Sequence, residues 1–508
     1  MDTLGFLLDG FSVALKWHNL LFAFFGVLIG TLVGILPGIG PTSGVALLIP
    51  VTATMTAGLP PEEAAASSII LLAGVYYGAM YGGSTTSILI NTPGEAASVV
   101  TALDGYPMAK QGRAGPALAI AAIGSFIAGI FALIGLIVLA VPLAKVALMM
   151  GPAEQFSLMI LGLCALSGLA GRSLTKAFIM TVLGLWLSMI GVDLVSGVAR
   201  FTYNYPQLYG GIDFLVLAVG LFAIGEVCKY MMEDNKGGGA ITQIGRILPT
   251  RQDMKDSAMP IARGSLLGFV IGLIPGAAAS LASFMSYMLE KKVSKRPEKF
   301  GTGAIEGVAG PESANNAASG GNLVPLLTLG IPGSPTTAVL MGAFIMYSVT
   351  PGPLLFEKHP NVAWGLIASM FIGNLMLLIL NLPLIKVFAK IVETPAKYLV
   401  PLIGAISVFG VYAVQISVFD LFLMAGFGVA GYFLAKNDFP LAPMVLGLVL
   451  GPMIEYNMRR ALTISEGDFT IFLQKPLSLA FLIIAALWLL VPVILKRRGK
   501  KVIVNEDI

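Results

Sequence analysis

Two polar stretches interrupt an otherwise apolar sequence, and their residue types set the chemistry open to the chain. The first, "YGGSTTSILINTPGE" at residues 81–95, holds Ser84, Thr85, Thr86, Ser87, Asn91 and Thr92. The second, "GPESANNAASGGNLVPLLTLGIPGSPTT" at 310–337, holds Ser313, Asn315, Asn316, Asn322, Ser334, Thr336 and Thr337. Hydroxyls and amides donate and accept hydrogen bonds, so such clusters suit a carboxylate and a partly dehydrated Na⁺ alike. Any single Ser, Thr or Asn has a competing use as interhelical glue. No Lys or Arg lies between Lys16 and Lys110, or between Lys299 and Lys358. An anion held by these clusters therefore relies on neutral groups, helix dipoles or a co-bound cation. Glu95, Glu306 and Glu312 lie in or beside the clusters, and intramembrane carboxylates are functional candidates by default. Each also has the alternative of capping a helix or lying at the membrane surface.

These clusters must be positioned by segments that carry their own helix breakers. "GTLVGILPGIG" at 30–40 and "GFVIGLIPGAA" at 268–278 share Gly-x-x-x-Gly-x-x-Pro-Gly. The breakers are Pro37-Gly38 and Pro275-Gly276, followed in the clusters by Pro93-Gly94 and Pro332-Gly333. Backbone without helical hydrogen bonds is tolerated at membrane depth only where protein or a watery cavity satisfies it, and broken helices paired between repeats point to a transporter site. Freed carbonyls near Gly38, Gly40 and Gly276, with Asn91 and Asn316, are candidate cation ligands. Thr42 and Ser43, just past the first break, join Ser84, Thr85, Thr86, Asn91, Thr92, Asn315, Asn316, Asn322, Ser334, Thr336 and Thr337 as candidate substrate ligands. Close helix packing is the competing use of Gly30 and Gly34; it leaves the following Pro-Gly unexplained.

The breakers repeat at an offset of 238 residues, from Gly30 to Gly268, and Gly82-Gly83 match Gly320-Gly321 at the same offset. One inserted residue later, Pro93-Gly94 match Pro332-Gly333. The chain is thus expected to be duplicated: 1–230 as the first transmembrane repeat, 231–262 as a cytoplasmic linker and 263–508 as the second. Flanking charge orients the repeats. Arg246, Arg251, Lys255 and Arg263 precede the second breaker segment, and Lys291, Lys292, Lys295, Arg296 and Lys299 follow it. Glu62 and Glu63 follow the first, with no basic residue nearby. The expectation is an all-α polytopic membrane protein of two inverted repeats, with re-entrant hairpins and broken transmembrane helices; a simple spanning helix at each motif is the alternative. The apolar run 477–495 ends at Lys496, Arg497, Arg498, Lys500 and Lys501, which places the C-terminus in the cytoplasm.

Composition agrees. The 508 residues are 56% hydrophobic and 11% charged, with mean hydropathy +0.88, too little charge for a soluble protein. The apolar runs are continuous rather than alternating, which argues against an outer-membrane barrel. A net charge of +4 does not suggest nucleic acid. Cys164 and Cys228 read as packing residues, and His18 and His359 are isolated. The N-terminus lacks the features of a cleaved signal and is expected to stay in the mature chain. No metal motif or catalytic constellation stands out, which disfavours a membrane enzyme.

The blocks "GTLVGILPGIGPTSGVALLIP", "YYGAMYGGSTTSILINTPGE" and "GPESANNAASGGNLVPLLTLGIPGSPTTAVLMGAF" resemble the large membrane subunit of the bacterial tripartite tricarboxylate transporters. The resemblance implies a multi-pass permease of the bacterial inner membrane. It implies two partners, a small membrane subunit and a periplasmic substrate-binding protein. It further implies uptake of a di- or tricarboxylate, citrate-like, with no cofactor beyond Na⁺ or H⁺ as coupling ion. An elevator-like movement follows only by analogy of fold. An anion-conducting channel, or a permease for another small organic anion, is the alternative reading.

Overall fold

The computed structural model describes residues 3–36, 40–169, 173–193, 196–232, 245–275, 279–391 and 396–497. Among them, six helices are long and apolar enough to cross a membrane, and several shorter apolar helices accompany them. The first half runs α1 (Thr3–Ala14), α2 (Trp17–Ile35), α3 (Gly40–Thr56), α4 (Pro61–Ile90), α5 (Val99–Met108), α6 (Ala114–Leu148), α7 (Pro152–Leu169) and α8 (Leu174–Ser188). A two-residue strand pair, Gly191–Val192 with Ala199–Arg200, precedes α9 (Phe214–Ala218), which a π-helical segment joins to α10 (Gly225–Met232). The second half runs α11 (Arg251–Gly272), α12 (Ala279–Val293), α13 (Glu306–Gly321), α14 (Leu323–Leu329), α15 (Pro335–Met346), α16 (Leu355–Lys358) and α17 (Pro360–Asn381). It ends with α18 (Ile385–Ile391), α19 (Ala396–Gln415), α20 (Val418–Lys436), α21 (Ala442–Ile464), α22 (Ile471–Gln474) and α23 (Pro476–Arg497). α11 begins inside the stretch 231–262, capped by reciprocal bonds between Thr250 and Asp253.

Glycine spacing explains how the breaker segments fold. Gly26, Gly30 and Gly34 of α2 lie against Leu71, Val75 and Ala79 of α4, and a Cβ on any of them would come within 2.3–2.4 Å of those carbonyl oxygens. Both sets advance by four residues in the same direction, so α2 and α4 run parallel. The intervening α3 must return: Gly44 meets Val33, and Thr56 pairs with Ser68 at 3.2 Å. Residues 17–56 therefore form a helical hairpin turning at 36–40. The second half repeats the device. Gly264, Gly268 and Gly272 of α11 press on Gly310, Ala314 and Ala318 of α13. α12 returns alongside, with Arg263 bound to Glu290 at 2.5–2.8 Å and Ser283 donating to the Pro311 carbonyl. This packing corrects one detail of the sequence register. Gly82 abuts the Gly34 Cα and Gly321 the Gly272 Cα, so Gly82 corresponds to Gly321. The inserted residue falls before this pair, not after Gly83.

α6, 35 residues and about 52 Å long, measures the depth of each hairpin. Its start adjoins the second hairpin's entry: Arg113 bonds Asp253 at 2.5 Å, and Gly115 touches the Arg246 backbone. Its far end adjoins Leu329 and the 348–354 segment. There Tyr347 accepts from Ser68 at 2.7 Å and Asn361 donates to Glu62 at 3.1 Å, which is the first hairpin's entry. Midway along α6, Ala132 packs at Gly320, where the Tyr77 hydroxyl also lies. Gly129 meets Asn374, which accepts from Tyr81 at 2.6 Å. The hairpins thus enter from opposite ends and both turn near mid-depth. The two halves interlock reciprocally: Gly184 of α8 abuts the Met444 carbonyl of α21, while Gly220 beside α9 abuts the Met424 carbonyl of α20.

Since the glycine seats have no room for a side chain, Gly268→Ala should destabilise the protein by about 1–3 kcal/mol, the usual cost of overpacking. Gly58, with nothing within 4 Å of an added Cβ, provides the control; Gly58→Ala should unfold with the wild type in a thermal melt in detergent.

Candidate functional site

The two Pro-Gly loops and the described flanks of the two hairpin breaks converge at this mid-depth. The first hairpin turn carries the first loop: Gly94 is so close to the Gly34 carbonyl that a Cβ would lie 2.1 Å from it. Thr42, just past the turn, bonds Thr336 of α15 at 2.9 Å. Across the halves, Asn315 of α13 donates to Glu95 at 2.7 Å. Its counterpart in the first repeat, Tyr76 of α4, reaches the Ser319 carbonyl at 3.5 Å beside Asn322 and Ser334. Pro37, Gly38 and Gly276 lie outside the described residues. Their flanks bracket the centre: Leu36, Gly40 in a left-handed conformation (φ +61°), the half-buried Pro275, and Ala279.

The two loops share one construction. α4 ends on left-handed Asn91 (φ 54°) and α14 on left-handed Gly330 (φ 70°), the usual way to stop a helix within a turn. Pro93-Gly94 and Pro332-Gly333 follow, with both glycines and Pro332 buried. The next helix then starts from a capping box, Glu95 with Ser98 in the first loop and Ser334 with Thr337 in the second. Each new helix offers unpaired N–H groups and a partial positive charge at mid-depth. In the first loop a carboxylate already offsets it. In the second the cap is a neutral hydroxyl, so that N-terminus is the better seat for an anion.

The sequence-selected side chains divide by use. Ser84 donates to Glu312 at 2.5 Å, and Thr101 donates to the other oxygen of the same fully buried carboxylate. Thr86 and Ser87 bond back to the Gly83 carbonyl, Thr92 to the Ile90 carbonyl, and Thr337 is tied up in its cap. Asn91 is an exposed helix stop. Asn316 turns to α6, donating to Ser125 at 2.7 Å and to the Glu312 carbonyl. Ser43 is buried in α3, and Thr85 borders a small crevice with Tyr81, Ser84, Ser125 and Asn381. The amide of Asn322, the Asn315 Oδ1, and the hydroxyls of Tyr77 and Ser313 are buried without a hydrogen-bond partner. Unsatisfied buried groups of this density are costly. Asn322 lies against Gly333 and Asn315 against Glu95, at the two loops, while Ser313 faces Gly124 of α6. Tyr76, Tyr77, Tyr81, Thr101, Ser125 and Asn374 complete the polar centre; the tyrosine run "YYGAMY" abutting the first cluster was its one local signal.

Paired broken helices around a neutral polar centre, in a chain this apolar, define a polytopic all-α membrane protein of transporter architecture. The family follows from sequence comparison: the pattern described as the Tripartite tricarboxylate transporter TctA family matches residues 20–446, and the chain belongs to that family. It is similar along its whole length, 45% identical over 509 residues and 100% of both chains, to an uncharacterized 52.8 kDa protein in the TAR-I ttuC' 3' region of Agrobacterium vitis. It is also 45% identical over 243 residues to an uncharacterized protein in the TAR-II ttuC' 3' region of the same organism, covering 47% of this chain and all of that one. No solved structure matches.

The Thr42–Thr336 contact makes the meeting of the halves measurable. In a chain lacking Cys164 and Cys228, cysteines introduced together at positions 42 and 336 should cross-link on mild oxidation. A pair at positions 42 and 58 should not.

Proposed function

We propose that the chain is the large permease subunit of a binding-protein-dependent tripartite system, taking up a di- or tricarboxylate across the bacterial inner membrane together with a cation. The observation that carries this reading is the convergence of both hairpin turns and both Pro-Gly loops on a polar centre without Lys or Arg. A multiply charged anion cannot be buried there unpaired. The N-termini after 91–95 and 330–334 each supply roughly half a positive charge. Asn322 and Thr336 supply donors, and the unpartnered Asn315 Oδ1 supplies an acceptor suited to a cation. Glu95 and Glu312 are carboxyl groups at the same depth that can take up a proton or face a cation, and the anion needs Na⁺ or H⁺ beside it. α2 and α11 end at the two hairpin turns, and the last carbonyls of a helix have no partner within it.

Charge distribution supports a membrane orientation. Arg113, Arg246, Arg263, Lys291 and Lys292 gather at the second hairpin's entry, assigned here to the cytoplasm. α23 begins beside α7, with Ser157 and Ser478 at 2.7 Å, and 22 residues carry it toward that basic end, consistent with a cytoplasmic C-terminus. The first hairpin then enters from the periplasm, where a soluble binding protein delivers substrate. The small membrane subunit is the third component.

Three measurements test this reading. Citrate binding to the purified chain should strengthen with Na⁺, or with acidity if protons couple, and citrate should tighten cation binding by the same factor. Asn322→Ala should weaken citrate binding about 10- to 100-fold, as expected for a lost hydrogen bond to a charged group. Binding indifferent to Na⁺, K⁺ and pH would refute coupling. For topology, impermeant thiol reagents should modify a cysteine at the exposed Gly58 from outside and spare one at the exposed Lys292. Saturable uptake that requires the binding protein separates the permease from a channel, which would conduct without it.

A further inference from the structure

At the α7 and α17 entry end lies a cavity of about 340 Å³ that the central site does not include. Its size falls in the range of about 300–1,000 Å³ usual for small-molecule pockets. Its inner wall includes Leu329, the residue before the left-handed Gly330 turn. Pro351 and Gly352 line it too and pack directly on that turn, where a Cβ on Gly330 would lie 2.8 Å from the Pro351 carbonyl. The cavity is therefore next to the backbone that opens the 330–334 loop.

Its polar lining is cationic and hydroxylic. Lys358 contributes from the end of α16, His359 from the N-cap of α17, Ser348 and Thr350 from the segment after α15, and Gln155 from the first turn of α7. Lys358 is exposed and takes part in none of the ion pairs among the described residues. His359 is the N-cap of the 22-residue α17 and forms no side-chain cap bond there, so the positive end of that helix faces the same mouth. Glu154 and Glu357 are sequence neighbours of Gln155 and Lys358, yet neither lines the cavity. Lys358 is also the first Lys or Arg after Lys299, at the end of a stretch whose only charged residues are Glu306, Glu312 and Glu357. A cation placed here meets an anion while water still solvates both, and it concentrates anions at the mouth without being buried.

We propose that this cavity is an outer vestibule that holds a di- or tricarboxylate through Lys358, His359 and the neighbouring hydroxyls before the anion passes the 330–334 loop. The proposal rests on the carboxylate-permease reading. Both acidic lipid headgroups and free carboxylates have the required chemistry. Five of the fifteen lining residues are polar, Gln155, Ser348, Thr350, Lys358 and His359, and that set of donors matches the several carboxylates of a free di- or tricarboxylate.

The test uses the full chain, with Cys164→Ala and Cys228→Ala, in nanodiscs of phosphatidylcholine. Thr350→Cys is modified by a cationic thiol reagent, with citrate as the probe. Excess citrate should slow modification at least severalfold, and adding Lys358→Gln should abolish the protection while Lys358→Arg retains it. Protection should survive Asn322→Ala, which weakens only the central site. In the complete uptake system Lys358→Gln should raise KM about tenfold with kcat little changed, the pattern of lost initial binding. Citrate that binds centrally yet never protects position 350 would overturn the vestibule and leave the permease reading intact. Protection unchanged by Lys358→Gln would overturn it as well. Slowing by added phosphatidylglycerol and not by citrate would assign the cavity to lipid, and citrate binding nowhere on the chain would defeat both readings.

Discussion

Everything at the centre depends on helix backbones in direct contact. Gly26, Gly30 and Gly34 seat α2 on the carbonyls of α4, and Gly264, Gly268 and Gly272 seat α11 on those of α13. Ordinary side chains at these positions would hold the axes about 8–10 Å apart and lift each hairpin away from the helix behind it. Lipid supplies no hydrophobic drive for helix association, so close van der Waals contact must do that work. Gly34 also receives Gly94, so the same contact sets the position of the first Pro-Gly loop. Depth of the hairpin turn, position of the loop and spacing of the halves are consequences of one glycine stripe used twice.

The duplication, the all-α class and the pairing of breakers were legible because each leaves a local mark: composition, a Pro-Gly step, a repeated interval. Close packing and chain breaking, read as rivals at Gly30 and Gly34, turn out to be neighbouring parts of one motif. The glycines pack, and the chain reverses just beyond them. The polar clusters were only half legible. Thr86, Ser87 and Thr337 look like ligands by composition, yet they bond to their own helices, a choice made by local geometry. The pairing of Glu312 with Ser84 and Thr101, and of Tyr81 with Asn374, joins residues more than 200 positions apart. No periodicity announces such contacts. The register was off by one residue after the insertion for a similar reason, since Gly82 meets a glycine at either offset, Gly320 or Gly321, and only packing against Gly34 and Gly272 decides between them.

Charge is distributed so that the ends are ionic and the middle is not. Lys16 with Glu63, Arg113 with Asp253 and Arg263 with Glu290 lie toward the hairpin entries, where the first and second repeats begin. At mid-depth the acidic groups Glu95 and Glu312 are met by an amide and by hydroxyls. Neutral donors of this kind can hold a carboxylate weakly, or a cation, according to which way the dipoles turn. A centre without Lys or Arg does not hold a multiply charged anion unless a cation or proton arrives with it. Coupling of substrate to ion then follows from electrostatics, and the fold's contribution is to keep basic side chains out of the middle.

The central claim is that the two hairpin turns and the two Pro-Gly loops enclose one carboxylate site. It is tested most directly by an electron-microscopy density map of the protein in lipid nanodiscs, saturated with citrate and Na⁺. The account predicts citrate density against the 330–334 backbone and within hydrogen-bond distance of Asn322 and Thr336, with an ion beside the residues flanking one or both hairpin turns. Citrate density confined to another place in the fold, in protein shown by binding to be saturated, would contradict it.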